Sequence, residues 1–486
     1  MAELWAHQKK GLAVLGQKPS AALLMWPRTG KTRIIVADAE RLMKADKITA
    51  LVVIAPLGVH RVWEKEWQDA STMKDVWVHA WCGGGTRELN RLSQKLISVD
   101  QCVFTINYDA LLTDRGYRIV EQILKRQDAM LVLDEAHRIK TPGAKRSKLC
   151  VKLGRLARYR RILTGTPIAN SPLDLFMPFR FLDPQILGHD NFFTFRARYA
   201  VLKRRVLASH AFDEVVGYQH LDELRAKIAP ISYVISQEEA AKLLDLPPRQ
   251  HVVLPVDLSP QQRRMYDELT NELTTRLDTG EEMSAPLAIT QLMRLQQILS
   301  GWFVPDGGIA DSETKTFSTP MGHFISEETN PREKVLLDYL DDVPGKVIIW
   351  CRFIPERERL REKLIKTEKD ASAVSVVGDQ RNGVDAISFF KDVPRCRYLI
   401  ASPEGPASEG VDLSCADTVV YYSNSFRLTS RQQSEERPFK KGRKTPVTIV
   451  DLCAAGTVDE HIVQSLAEKR DMARTFSGKE LRKWLH

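Results

Sequence analysis

The sequence predicts an α/β chain of two lobes, each built on a parallel sheet, with helical insertions. Two observations carry that expectation. Short apolar runs alternate with amphipathic stretches over the first third of the chain, and the same alternation returns after Pro331. Such runs read as strands buried on both faces, and strand–helix alternation builds a parallel sheet covered by helices.

Taken in order, Ala21–Met25, Leu51–Ala55, Val103–Ile106, Met130–Asp134 and Arg161–Leu163 read as strands, with helical patterns such as Thr32–Lys44 and Val59–Trp67 between them. From Leu173 to about Leu224 the chain turns aromatic, with Phe176, Phe179, Phe181, Phe192, Phe193, Phe195 and Tyr199. This reads as a helical insertion, about 171–230, that packs its own core; the other use of such rings is a stacking platform for bases. Leu246-Pro247-Pro248 reads as a linker, because consecutive prolines forbid helix and stiffen the chain. It divides an N-terminal lobe, 1–245, from a C-terminal lobe, 246–486. Ser259-Pro260 supplies a cap and a first-turn proline for a second helical insertion, about 259–300. Asp306–Asn330 is polar and reads as loop or hairpin. Val347–Trp350, Ala373–Val377, Tyr398–Ala401, Thr418–Tyr421 and Val447–Leu452 then give the strands of the second lobe.

The totals narrow the partners. Among 486 residues, 71 Lys and Arg against 62 Asp and Glu leave a net charge of +9, which favours a polyanion, either nucleic acid or a membrane surface. The N-terminus lacks a charged stub followed by an apolar run, and no apolar stretch approaches the ~20 residues of a membrane span. The expectation is a cytoplasmic protein, monomeric, with no membrane association. Seven cysteines with no C-x-x-C pair indicate neither a zinc knuckle nor a disulfide framework, so reduced thiols are expected.

Two runs carry chemistry. Met25-Trp26-Pro27-Arg28-Thr29-Gly30-Lys31-Thr32 follows a strand and opens a helix, the setting in which a phosphate loop works. Backbone N–H groups cradle the phosphates, Lys31 reaches the β and γ phosphates, and the Thr32 hydroxyl holds magnesium. The full pattern wants a glycine where Met25 stands, so alone the match is degraded. The second run, Leu131-Val132-Leu133-Asp134-Glu135-Ala136-His137, is an apolar strand ending in adjacent carboxylates. There Asp134 can bind magnesium through water and Glu135 can orient the attacking water for phosphoryl transfer.

These residues resemble helicase superfamily 2, and within it the Swi/Snf-type, DEAH-box ATPases; the resemblance spans nearly the whole chain. Leu4–Gly11 is similar to the opening motif, which implies that Gln8 reads adenine. Ala55-Pro56 through Trp63 and Glu66 is similar to motif Ia, and Ile106-Asn107-Tyr108 to motif Ib, which implies that Asn107 lies on the nucleic-acid track. Asp134-Glu135-Ala136-His137-Arg138-Ile139-Lys140 matches motif II with the family's extension, implying nucleic-acid contacts for Arg138 and Lys140. Leu163–Asn170, with Thr166, is similar to motif III, which couples hydrolysis to the track. In the second lobe Lys346–Trp350 resembles motif IV, Ser408–Leu413 motif V, with Gly410 and Asp412, and Gln433–Gly442 an altered motif VI, with Gln433, Arg437 and Lys440.

The resemblance implies two P-loop (RecA-like) lobes and an ATP site in the cleft between them. Gln8 would hold adenine, with Arg28, Thr29, Gly30 and Lys31 on the phosphates, Thr32 and Asp134 on Mg2+, and Glu135 on the water. Gly410, Asp412 and Gln433 would complete the nucleotide site, and Arg437 with Lys440 would offset charge as the phosphoryl group leaves. Arg28 stands where the familiar form has glycine, and Lys440 where relatives have arginine. The basic run Arg431–Lys444 offers a further DNA contact or a solvated face. The expected function is ATP-driven translocation on duplex or branched DNA by a compact phage or bacterial form. An RNA helicase and an ATP-binding clamp with little turnover are the competing readings.

Overall fold

In the computed structural model the residues described are 3–466, apart from 17, 57–58, 82, 166–170, 207–210, 279–284, 305–308, 311–316, 319–322, 327–329, 368–371, 377–379, 406, 408–410, 425–426, 441 and 465. Two compact units meet in sequence between Asp245 and Leu246.

The first unit holds strands β1 (Ser20–Met25), β2 (Ala50–Ala55), β3 (Trp77–Ala80), β4 (Cys102–Asn107), β5 (Ala129–Asp134), β6 (Tyr159–Thr164), β7 (Ala200–Val206), β8 (Ala211–Tyr218) and β9 (Ser232–Ile235). Seven of them form one parallel sheet in the order β3-β4-β2-β5-β6-β1-β9. Successive side chains of a strand point to opposite faces, and here both faces are covered. Leu24, Val52, Ile54, Leu131 and Leu133 feed one core, while Leu23, Leu51, Val53, Met130 and Val132 feed the other. That is why these strands read as unbroken apolar runs.

The insertion departs from its helical reading. Helices Phe176–Leu182, Phe192–Tyr199 and Leu221–Ile228 are present, but β7 and β8 form an antiparallel hairpin between the last two. Phe176, Phe179, Phe181, Phe195 and Tyr199 are buried in the first core, so they are packing residues rather than a platform for bases. Phe193 is the exposed exception.

The second unit holds β10 (Arg249–Val256), four two-residue strands, β11 (Trp302–Phe303), β12 (Ile309–Ala310), β13 (Phe317–Ser318) and β14 (His323–Phe324), then β15 (Lys346–Trp350), β16 (Ser372–Ser375), β17 (Cys396–Ala401), β18 (Ala416–Tyr421) and β19 (Val447–Ala454). Its six-stranded sheet is parallel in the order β10-β19-β18-β15-β17-β16. The segment behind the prolines is thus an edge strand as well as a linker. Helices Pro260–Asp278 and Ala285–Leu299 lie between β10 and β11. No described helix is long and apolar enough to cross a membrane. The described cysteines are free thiols, and burial pushes Cys102 and Cys150 up to about 12.

Candidate functional site

Strands β5, β6 and β1 are neighbours, so their carboxyl ends bring Asp134, Thr164 and Met25 to one edge of the sheet. Ligands of parallel α/β sheets bind outside that edge. The chain leaves β1 through Trp26–Gly30 and enters helix Lys31–Lys44. Two residues of this loop have positive φ, Arg28 at 64° and Gly30 at 83°. Gly30 is required twice over: its φ suits glycine, and a Cβ there would stand 2.1 Å from Gln8 Nε2. Thr29 is buried; its hydroxyl donates to Trp26 O at 2.7 Å, and its carbonyl accepts from Gln8 Nε2 at 3.3 Å and lies 2.9 Å from His7 Nε2. Gln8 is therefore seated on the phosphate loop. Lys31 Nζ donates to Met25 O at 2.9 Å, reaching back across the loop, and Thr32 follows it in the first turn.

Asp134 ends β5 and is 6% exposed. Trp63 Nε1 donates to its Oδ2 at 2.9 Å and the Glu135 N–H to its Oδ1 at 3.0 Å. Burial, with the adjacent Glu135 charge, pushes the Asp134 carboxyl up. Glu135 takes the left-handed conformation, φ 51°. Burial would raise its pKa, but the hydrogen bond and charge of His137, with Lys31 and Arg138, hold it below the ordinary carboxylate range. His137 Nδ1 lies 3.2 Å from Glu135 Oε2 and 3.3 Å from Thr164 Oγ1, tying β5 to β6. The next residue, Gly165, packs against the loop from the other side: a Cβ there would stand 2.8 Å from Pro27 Cδ.

The residues expected on the nucleic-acid track divide. Asn107 is buried, and its Oδ1 accepts from the N–H groups of Asp109 and Ala110 at 3.0 and 2.8 Å, so it holds the turn after β4. Its position supports a capping role rather than a phosphate contact. Arg138 lies in the short 3-10 turn after Glu135, and Lys140 closes that turn with Nζ 3.6 Å from Asp174 Oδ2. Thr166 lies outside the described residues.

Within the second unit, motifs V and VI meet. Arg437 Nη1 donates to Val411 O at 3.3 Å, its Nε to Gln433 O at 2.8 Å, and its carbonyl accepts from Leu413 N–H at 3.1 Å. Arg437 and Gln433 are both buried. Lys440 Nζ is 3.5 Å from Asp412 Oδ2, with the lysine side chain 64% exposed. Gly410 and Lys441 lie outside the described residues. Two arginines of the run Arg431–Lys444, expected as a DNA contact or a solvated face, are instead committed to the fold. Arg431 is buried over the Tyr421 ring and bonded to Asp451 and Glu435. Arg443 donates to Ser414 O at 2.7 Å and Pro438 O at 2.9 Å and pairs with Asp417, which fixes it in the fold.

Two contacts of Asp134 were not revealed by spacing alone: the Trp63 indole on its carboxylate, and the Tyr108 hydroxyl, which donates to the Asp134 backbone carbonyl at 2.8 Å and supports the end of the strand. Both side chains lie in runs the family resemblance marks, 71 and 26 residues from their partner.

A family described as the SNF2-related domain matches residues 7–301. The chain is 24% identical over 466 residues to the TATA-binding protein-associated factor mot1 of Aspergillus fumigatus, covering 89% of this chain and 24% of that protein. It is 22% identical over 448 residues to an uncharacterized ATP-dependent helicase of Mycoplasma pneumoniae, covering 91% of this chain and 39% of that protein. The chain thus spans about a quarter to two fifths of the length of these relatives. A similar solved structure is the Sulfolobus solfataricus SWI2/SNF2 ATPase core in complex with dsDNA, with 23% identity and a TM-score of 0.43, covering 99% of this chain and 94% of that one.

Proposed function

The chain belongs to the SNF2-related family, and from that premise we propose that it is an ATP-hydrolysing motor that moves on duplex or branched DNA. The observation that carries this reading is the convergence at one sheet edge: the phosphate loop after β1, the Asp134–Glu135 pair at the end of β5, and Gly165, just past β6, against Pro27. The donors present fit a nucleotide with magnesium. Gly30 leaves the backbone open where a Cβ would collide, and Thr32 with Asp134 offers the hard oxygens magnesium takes alongside phosphate and water.

In this reading Lys31 leaves the Met25 carbonyl for the β and γ phosphates, while Gln8, seated on the loop, meets the adenine. Arg28, Thr29 and Gly30 line the phosphates. Magnesium, when bound, would offset the charge of the phosphates. Asp134 and Thr32 hold it, and ionised Glu135 orients the water. Arg437 and Lys440, beside Gln433 and Asp412, offset the charge that develops as the γ-phosphoryl group leaves. The work done would be branch migration, fork reversal or remodelling of recombination and repair intermediates, by a phage or bacterial motor.

ATPase rates with no nucleic acid, single-stranded DNA, duplex DNA, four-way junctions and RNA test this reading. Duplex or junction DNA should stimulate most. Stimulation by RNA alone would make it an RNA helicase, and ATP binding without turnover under any condition would make it a clamp.

A further inference from the structure

We propose that Trp63 is a positioning residue for the metal-binding carboxylate, an inference that rests on the nucleotide site proposed above. Both oxygens of Asp134 are held from the protein side, Oδ2 by the Trp63 indole and Oδ1 by the Glu135 amide. A carboxylate oxygen has two lone pairs, so each bond leaves one directed elsewhere. With its two oxygens pinned, the carboxylate cannot rotate about its last bond, and the remaining lone pairs keep one direction. Trp63 is itself immobile. It is 1% exposed in the core beneath the sheet, and its helix is tied to the helix of the phosphate loop by Arg33 and Glu66, 3.6 Å apart.

The choice of tryptophan has a chemical reason. An indole N–H only donates, so it can neither take a proton from Asp134 nor compete for the metal. The bond is not a routine consequence of burial either. The indole nitrogens of Trp26, Trp67, Trp302 and Trp350 are buried without a hydrogen-bond partner. Trp63 donates its N–H to the carboxylate at the end of β5. Groups that orient a metal ligand from behind typically contribute about 10- to 100-fold to metal affinity. Trp63 therefore sets how well the nucleotide site uses magnesium.

The test is a Mg2+ titration of binding of a fluorescent, non-hydrolysable ATP analogue by the full chain, alongside binding in EDTA. Trp63→Phe should bind the analogue in EDTA like the wild type, yet need about 10- to 100-fold more Mg2+ to reach half of the metal-dependent gain. Tyr108→Phe removes a bond to the Asp134 backbone carbonyl rather than to its carboxylate, and should leave the Mg2+ midpoint in place. If Trp63→Phe does not fold, replacement of Trp63 by benzothienylalanine removes the N–H and keeps the ring shape, and the same shift is expected. An unchanged midpoint in a folded Trp63 variant, or an equal shift in Tyr108→Phe, overturns the inference. Failure of the wild type to bind the analogue, or normal binding by Lys31→Ala, overturns the nucleotide site itself, so the two failures are distinct.

Discussion

Lys31 and Glu135 sit within the same charged cluster but do different work, and variants should separate them. Lys31 is the side chain aimed across the loop, and in the proposed site its charge would be the main protein cation for the β and γ phosphates. Lys31→Ala should lose both nucleotide affinity and turnover. Glu135 is held ionised by His137, Lys31 and Arg138, which suits a group that orients water. Glu135→Gln keeps the shape and should bind ATP normally while hydrolysis falls by a factor of 100 or more, roughly the lower range of general-base contributions. Equal loss of binding in both variants, measured by nucleotide titration, would show that Glu135 is part of the cradle. The cations of the second unit separate likewise. Arginine offers a planar fork of donors and lysine a point charge, so Lys440→Arg should preserve or raise turnover, and Arg437→Ala should abolish it. Arg443 is bonded to two carbonyls and Asp417, so it is not free to replace either. Arg443→Ala should lower stability by about 1–3 kcal/mol through lost hydrogen bonds, read as a lower thermal midpoint, with turnover per folded molecule near normal. Abolished turnover in a folded Arg443→Ala protein would move the motif's register.

At the scale of elements, what was legible in the sequence follows burial. β2, β4 and β5 are central strands covered on both faces, and their apolar runs show it. β3, β9 and β10 escaped, and all three are edges of their sheets. β3 and β10 are partly exposed and mixed in composition, as Trp77–Ala80 and the alternating exposure of Arg249–Val256 illustrate, whereas β9 is mostly buried but only four residues long. The hairpin β7–β8 escaped for a related reason: Lys203 and Arg204 face solvent, so no apolar alternation marks it. The hairpin's base is fastened by one carboxylate. Glu223 accepts from Lys227 Nζ at 2.9 Å, from Arg198 Nη2 at 2.5 Å and from Tyr199 OH at 2.9 Å. These bonds hold its carboxyl down at about 2. A depressed carboxylate contributes stability above its unfolded pKa and loses it as pH falls through the folded value. With the pair one-third exposed, screening limits the contribution to about 1 kcal/mol. Glu223→Gln should therefore lower the urea midpoint at pH 7, and the gap from wild type should close as pH drops from about 4.5 toward 2. A gap that persists at low pH would assign the effect to packing.

Across the whole molecule, contiguous motifs were readable and the partnerships between them were not. Gly30 against Gln8, Gly165 against Pro27 and Trp63 on Asp134 join residues that only folding brings together. Charge follows the same rule. The surplus of +9 suggested a basic surface, yet Arg161 with Asp38, Arg332 with Asp459 and Arg431 with Asp451 are buried ion pairs. Lys140 is placed differently: partly exposed, just beyond the carboxylate strand, and 3.6 Å from Asp174. If it neutralises one phosphate, DNA binding by Lys140→Ala should weaken almost uniformly across sequences. The slope of log affinity against log salt should flatten by about 0.9. Asp174 then competes with the phosphate for the same ammonium group. Asp174→Asn keeps an acceptor for the Ser171 N–H, 3.4 Å away, and removes the charge. It should tighten DNA binding at low salt and lose that advantage near 1 M, where screening shortens to about 3 Å. Fluorescence anisotropy on one duplex over a salt series reads both effects. An unchanged slope in Lys140→Ala would take Lys140 off the track, and tighter binding in Asp174→Asn would then need another cation to explain it.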